Sequence, residues 1–119
     1  MPTELHSHFS RNIGHQTRRV ANRVARALRL AGPTDDAYLG RLRSAGYQLF
    51  DEGSARSVDG DVTILAGRAD RITGHLDQFD ALARYPQGSY VALSGAGHYL
   101  PFEQPERFRS VTLDWLARD

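Results

Sequence analysis

The chain has 119 residues, enough for one domain, and its 15 basic residues nearly balance 14 acidic ones. A net charge of +1 argues against nucleic acid as the main partner, and the lack of cysteine excludes disulfides and thiolate chemistry. No apolar run approaches the roughly 18 residues of a membrane span, and the N-terminus lacks the apolar core of a signal peptide. We therefore expect a cytoplasmic protein that binds no membrane.

Residues 1–56 are arginine-rich and have the pattern of helices and loops. A helix is predicted over residues 16–31, because apolar residues recur there with helical spacing and Gly32 and Pro33 follow. The residues of its apolar face are Val20, Val24, Ala27, Leu28 and Ala31. A second helix is predicted to begin after Thr34 as N-cap and to end at Gly46. Leu49 and Phe50 are expected to be buried in the connection that follows.

Residues 57–119 alternate between strand and helix patterns. The apolar run 62–66 is rich in β-branched residues and is bounded by glycines, which predicts a buried strand. A helix over residues 74–84 precedes a second buried strand over residues 90–94. A last helix over residues 105–117 begins with Pro105, a residue suited to the first helical turn.

A strand, a helix and a strand within such a short segment predict a βαβ unit with two parallel strands. Parallel sheets normally have more than two strands and are covered on both faces. The fold class is therefore α/β, and the sheet is expected to be part of a larger one.

Two polar segments follow the two predicted strands. Asp70 comes shortly after the first strand, and His98 lies in a glycine-rich loop after the second. Because ligand-handling residues of parallel sheets lie beyond the carboxyl ends of the strands, we expect these two side chains to meet. The Asp70 carboxylate would then accept the His98 Nδ1–H and leave Nε2 as a general base.

At these residues the sequence resembles the α/β-hydrolase superfamily. The resemblance covers residues 61–119: a strand followed by G-x-x-D, a helix, a strand ending in G-H-x-x-x-x-E-x-P, and a final helix. It implies a partial α/β-hydrolase fold in which Asp70 is the triad acid and His98 the triad base. Residues 1–56 resemble, more loosely, the end of a cap region and the helix that returns to the core.

The sequence departs from the family at the nucleophile. No G-x-S-x-G elbow occurs, nor one with Asp or Cys at its centre, and the earlier core strands are absent. We interpret the chain as a truncated or C-terminal part of a hydrolase, or as one complemented by a second chain. The resemblance implies a small-molecule substrate with an ester, amide, epoxide, halide or carbon–carbon bond to be cleaved, and implies no cofactor and no metal.

Other residues near this segment have simpler interpretations. Glu103 is expected to bind loop amides or to cap the last helix rather than to act on substrate. Ser94 lies at a strand end without the strained turn that exposes a nucleophile, so it is a poor substitute. Tyr99 and Leu100 fit a substrate pocket or the core equally well.

Three alternatives of another class stay open. His6, His8 and His15 are a weak candidate for a metal site, because no acidic cluster lies nearby. The arginine face of residues 18–29 would suit an anionic partner, although a solvated helix face is the commoner outcome. Finally, the chain is a candidate for an inactive interaction module that self-associates or pairs with another chain through an open sheet edge.

Overall fold

The computed structural model describes residues 3–47 and 58–118, apart from the side chains of residues 3–5 and 8. These residues form a mixed α/β arrangement with a two-stranded parallel sheet. The elements in chain order are α1 Thr3–Asn12, α2 Arg18–Ala31, α3 Asp36–Ser44, β1 Val62–Gly67, α4 His75–Asp80, β2 Gly88–Leu93, α5 Leu100–Glu103 and α6 Pro105–Leu116.

Helix α2 confirms the predicted helix but begins later, because Thr17 is its N-cap and accepts the Val20 amide through its hydroxyl at 3.2 Å. Its end at Gly32, with φ of +75°, agrees with the prediction. The buried side differs from the predicted face, since Ala27 and Leu28 are only half-buried and Ala31 is exposed. The residues that pack inward are Val20, Ala21, Val24 and Ala25.

Helix α3 shows that Thr34 was the wrong choice of N-cap. Asp35 takes this position, in extended backbone, and its carboxylate accepts the Tyr38 amide at 2.8 Å. Tyr38 is the third residue of the helix, and its amide is within reach of a side chain at the N-cap position. The end of the helix agrees with the prediction: Gly46 has φ of +65°, and the amide of Tyr47 reaches back to the Leu42 carbonyl at 3.0 Å.

Both predicted strands are present with shifted ends: β1 extends to Gly67, and β2 begins two residues earlier than predicted and ends at Leu93, before Ser94. The strands pair in parallel, with Val62 opposite Gly88 and Gly67 opposite Leu93. The helix between them is shorter than predicted, because its last turn, Ala81–Arg84, tightens into a 3₁₀ helix. The helix α5 was not predicted, and α6 ends one residue earlier than expected.

Burial of the strands is incomplete. In β1 the first four residues are half-buried, and in β2 all but Leu93 are half-buried. The prediction of fully buried strands was therefore wrong, because a sheet of two strands has too few elements to cover both faces. Exposed apolar side chains on the neighbouring helices reflect the same shortage; they include Leu76, Phe79 and Leu113.

Two small apolar clusters hold the described residues together. One joins Ile13 to Val20 and Val24 of α2, and the other joins Leu93 and Ala96 to Leu100 at the end of β2. The expected burial of Leu49 and Phe50, and the boundary between residues 56 and 57, fall outside the described residues. Within residues 3–47 and 58–118, no helix has the length and apolar character needed to cross a membrane.

Candidate active site

Asp70 and His98 follow the carboxyl ends of β1 and β2, at the same edge of the sheet. The structure brings the two side chains together, with 3.2 Å between His98 Nδ1 and Asp70 Oδ2. The Asp70 side chain is 6% exposed and the His98 side chain 35% exposed. The acid is therefore largely shielded, while the imidazole keeps access to solvent.

The Asp70 carboxylate is held by the residues that follow it. Its Oδ1 accepts the amides of Ile72 at 2.8 Å and Thr73 at 3.1 Å, and its Oδ2 accepts the Thr73 hydroxyl at 2.7 Å. Gln78 extends this network by donating to the Thr73 hydroxyl at 2.8 Å. Sequence analysis missed Thr73 and Gln78. An Asp in a turn commonly accepts the backbone amides that follow it, but this pattern does not point to either side chain.

These contacts set the charge state of Asp70. Burial raises the pKa of its carboxyl, but the hydrogen bonds from Thr73, Ile72 and His98 together outweigh that effect and hold the pKa below its ordinary value of 3.8. The carboxylate is thus ionised near neutral pH and is available to the imidazole as an acceptor.

The lowered pKa predicts a loss of stability in acid. Because the folded-state pKa lies below the unfolded one, ionised Asp70 stabilises the fold at pH values above 3.8, and this contribution is lost as the pH falls through the folded-state pKa. Urea unfolding followed from about pH 5 to about pH 2.5 should show this loss. Asp70→Asn should flatten the dependence of the free energy of unfolding on pH over this range. Asp77→Asn, which changes an exposed acid on α4, should leave that dependence as it is in the parent protein. Equal pH dependences for the two variants would contradict the prediction.

Contacts hold both the backbone and the ring of His98. Its backbone amide donates to the Asn12 carbonyl at 2.8 Å, and its ring lies edge-on to Tyr99 with centroids 5.5 Å apart. With Nδ1 directed at a carboxylate, the neutral ring carries its proton on Nδ1 and its lone pair on Nε2. This is the tautomer that a general base requires. Asn12 was missed by sequence analysis, because nothing in the local pattern links it to a loop so far along the chain.

Glu103 supports the loop that carries His98. It is 4% exposed, and its two carboxylate oxygens accept the Gly97 amide at 3.0 and 2.9 Å, while Oε1 also accepts the His15 amide at 2.8 Å. The interpretation that Glu103 binds loop amides is confirmed. Glu103 therefore ties the histidine loop to the segment between α1 and α2.

Glycines allow the backbone segments around the site to approach one another. A Cβ at Gly97 would lie 2.5 Å from the Asn12 carbonyl oxygen and 2.6 Å from the Gly14 nitrogen. A Cβ at Gly67 would lie 2.5 Å from the carbonyl oxygens of both Ala96 and Gly97. The loops that bear Asp70 and His98 thus pack in direct backbone contact, which fixes the relative positions of the two side chains.

A cavity of about 210 Å³ opens beside the pair. Thr73 and Gln78 contribute polar atoms to its wall, and Asp70 and His98 themselves form part of its lining. The apolar part of the wall comes from Leu65, Leu100, Pro101 and Phe108. Leu100 is therefore both a core residue and a wall of this cavity. A small molecule with an apolar group fits such a site.

The remaining candidates lie apart from this pair. Ser94 is exposed just after β2, its carbonyl accepts Gln104 Nε2 at 2.8 Å, and its hydroxyl makes no hydrogen bond to the ring of His98. Within the described part of the chain, no group of three or more His, Cys, Asp or Glu residues is placed to hold a metal ion. Among the arginines of α2, Arg23 donates to the Phe102 carbonyl at 3.3 Å, so one member of that face serves in packing.

The arrangement can orient an imidazole, fix its tautomer and stabilise the cation formed when Nε2 takes up a proton. These are the tasks of the acid and base in nucleophilic hydrolysis. Comparisons with protein-family models, with curated proteins and with solved structures give no match for this chain.

Proposed function

We propose that Asp70 and His98 are the acid and base of a nucleophile–His–acid triad of the α/β-hydrolase type, acting on an ester-like small molecule. The observation that supports this most is the 3.2 Å contact between Nδ1 and Oδ2 at the carboxyl ends of two adjacent parallel strands. The order of acid before histidine along the chain is also that of the family.

In this mechanism His98 Nε2 takes the proton from the attacking hydroxyl group while Asp70 stabilises the imidazolium that forms. The attacking oxygen adds to the carbonyl carbon of the ester, and collapse of the tetrahedral adduct breaks the bond to the leaving oxygen. The proton held by His98 then passes to that oxygen. Where the attacking group is a polypeptide hydroxyl, His98 next takes a proton from water, which adds to the acyl carbon and releases the carboxylic acid, and the proton returns to the hydroxyl. The attacking group is a hydroxyl of a complementing polypeptide or, for an activated ester, a water molecule.

The cavity beside the pair supports a small substrate. A dry cavity of about 150 Å³ holds a benzene-sized molecule, so the 210 Å³ at this site suits an acyl group of comparable or slightly larger size. Its apolar wall would bind that group, and the polar side chains at the strand ends would face the bond to be cleaved.

The proposal is tested by hydrolysis of p-nitrophenyl acetate. We expect His98→Ala to lower the rate at least about tenfold, because general-base catalysis typically contributes two orders of magnitude or more. Asp70→Asn should also lower the rate, since an amide no longer stabilises the imidazolium or fixes the ring. Release of p-nitrophenolate, measured by absorbance, reports each rate.

His6→Ala is the matched control, because His6 is an exposed histidine on α1 and is not part of the site. Each variant should keep the circular dichroism spectrum of the parent protein. Equal rates for the parent protein and His98→Ala would remove His98 from any catalytic role. That result would favour the competing interpretation, an inactive chain whose role is association.

A further inference from the structure

The outer edge of β1 has no strand paired to it among the described residues. Trp115 of α6 covers only its beginning, by donating from Nε1 to the Asp61 carbonyl at 3.0 Å. The amide of Arg68 donates to the Leu93 carbonyl, so the even-numbered residues of β1 direct their backbone groups toward β2. The backbone groups of Thr63 and Leu65 therefore point to the other edge, where no strand pairs among the described residues. The six residues of β1 include no charge and no proline, two of the features that ordinarily block strand addition.

An apolar cleft of about 220 Å³ runs beside this edge. It lies between β1 and α6 and is lined by Thr63, Leu65, Phe108, Val111, Thr112 and Trp115. The Thr63 hydroxyl is buried in it without a hydrogen-bond partner in the described part of the chain. A strand added at this edge would place every second side chain over the cleft and bring polar backbone atoms close to that hydroxyl.

The residues that flank β1 carry opposite charges at its two ends. Asp59 and Asp61 precede the strand, and Arg68 and Arg71 follow it. The Oδ2 atom of Asp61 lies 3.5 Å from Nη1 of Arg118. Asp59, Arg68 and Arg71 are exposed. An antiparallel pair of two such strands places the acidic end of each against the basic end of the other, and a parallel pair would oppose like charges.

A third acid near this edge, Asp70, is turned away from it. Its carboxylate is occupied by His98 and Thr73 and is 6% exposed. The outer edge of β2 lacks a comparable pattern, because residues 85–97 include no charged side chain and Pro86 precedes the strand. Opposite charges therefore flank β1 and not β2. They favour a partner strand that also has acidic residues before it and basic residues after it.

We infer that the chain forms a two-fold symmetric dimer in which β1 pairs antiparallel with β1 of a second copy. The two-stranded sheet becomes four-stranded, which is closer to the size at which sheets are stable on their own. The net charge of +1 opposes this association only weakly. The inference does not depend on the hydrolytic activity proposed above.

Analytical ultracentrifugation of the full chain tests the dimer. We expect a species of twice the 13.3 kDa chain mass. Thr63→Pro should convert it to monomer, because proline at an open edge removes an outward N–H while leaving the ladder to β2 intact. A monomeric parent protein at concentrations up to about 1 mM would overturn the inference, as would a dimer that Thr63→Pro, folded by circular dichroism, leaves unchanged.

Charge reversal tests the antiparallel direction separately. Asp59→Arg and Arg71→Asp should each weaken the dimer about tenfold, since each reversal opposes like charges twice in a symmetric pair. The double variant should restore the dissociation constant to within about twofold of the parent value. Asp80→Arg and Arg84→Asp, which make the same charge changes away from β1, should leave it unchanged. Single reversals at residues 59 and 71 without effect would overturn the antiparallel arrangement.

Discussion

Replacing Glu103 by alanine is expected to lower the free energy of unfolding by about 3–4 kcal/mol, because hydrogen bonds to a charged acceptor contribute about 1.5–3 kcal/mol each. The variant leaves the amides of Gly97 and His15 without their acceptor, and the first of these is buried. In the part of the chain that the structure describes, the partners of this buried carboxylate are backbone amides rather than a cation. Its replacement therefore removes contacts without freeing an unpaired charge. Urea unfolding with an unchanged m-value measures the loss.

Two variants separate the hydrogen bonds from other effects. Glu103→Gln keeps the shape and one accepting oxygen, but its NH₂ group meets the Gly97 or His15 amide, so we expect an intermediate loss. Glu106→Ala removes an exposed acid from the first turn of α6 and should cost about 0.5 kcal/mol. The structural interpretation fails if Glu103→Ala is no more destabilising than Glu106→Ala.

The parts of the fold that sequence predicted well are those set by local pattern. The runs that became β1 and β2 are apolar and bounded by glycine, and the first is rich in β-branched residues. A short crossover between them leaves parallel pairing as the expected arrangement. Parallel pairing in turn brings the strand ends together, so the contact of Asp70 with His98 followed from two local predictions. Its catalytic role stays a prediction.

The parts that sequence did not reveal depend on distant segments. The carbonyl of Asn12 holds the amide of His98, and the amide of His15 binds Glu103. Residues this far apart in the chain share no periodicity that a single sequence displays. The N-cap of α3 was missed for another reason: Thr34 and Asp35 are both good capping residues, and the backbone conformation decides between them.

The site and the open edge impose different demands on the same strand. Gly67, at the end of β1, is surrounded by backbone atoms of the histidine loop, whereas the outward backbone groups of Thr63 and Leu65 border the apolar cleft. Leu65 also lines the cavity beside Asp70 and His98, but Thr63 does not, so substitutions at Thr63 can weaken self-association without altering the site. Association and hydrolysis can thus be tested one at a time.

Gly97→Ala is expected to destabilise the fold by about 3 kcal/mol, the upper end of the usual cost of overpacking, because its neighbours are backbone atoms. The added Cβ would lie 2.5 Å from the Asn12 carbonyl oxygen and 2.6 Å from the Gly14 nitrogen, and both are backbone atoms that move only with their segments. Moving them breaks the Asn12–His98 hydrogen bond and displaces the Gly97 amide from Glu103. Thermal unfolding, together with the esterase rate, reports both consequences.

Gly40→Ala is the matched control and should have the opposite sign. Gly40 lies inside α3, and a Cβ there meets nothing within 4 Å. Alanine in a helix interior is therefore expected to stabilise by about 0.5–1 kcal/mol, since glycine loses more backbone entropy on folding. If Gly97→Ala melted at or above the parent temperature, residues 12–14 would not pack against the histidine loop in solution, and the support assigned to His98 would be wrong. A lower melting temperature for Gly97→Ala and a higher one for Gly40→Ala would show that the destabilisation comes from the packing of residues 12–14 against the histidine loop. It would not come from the loss of a glycine as such.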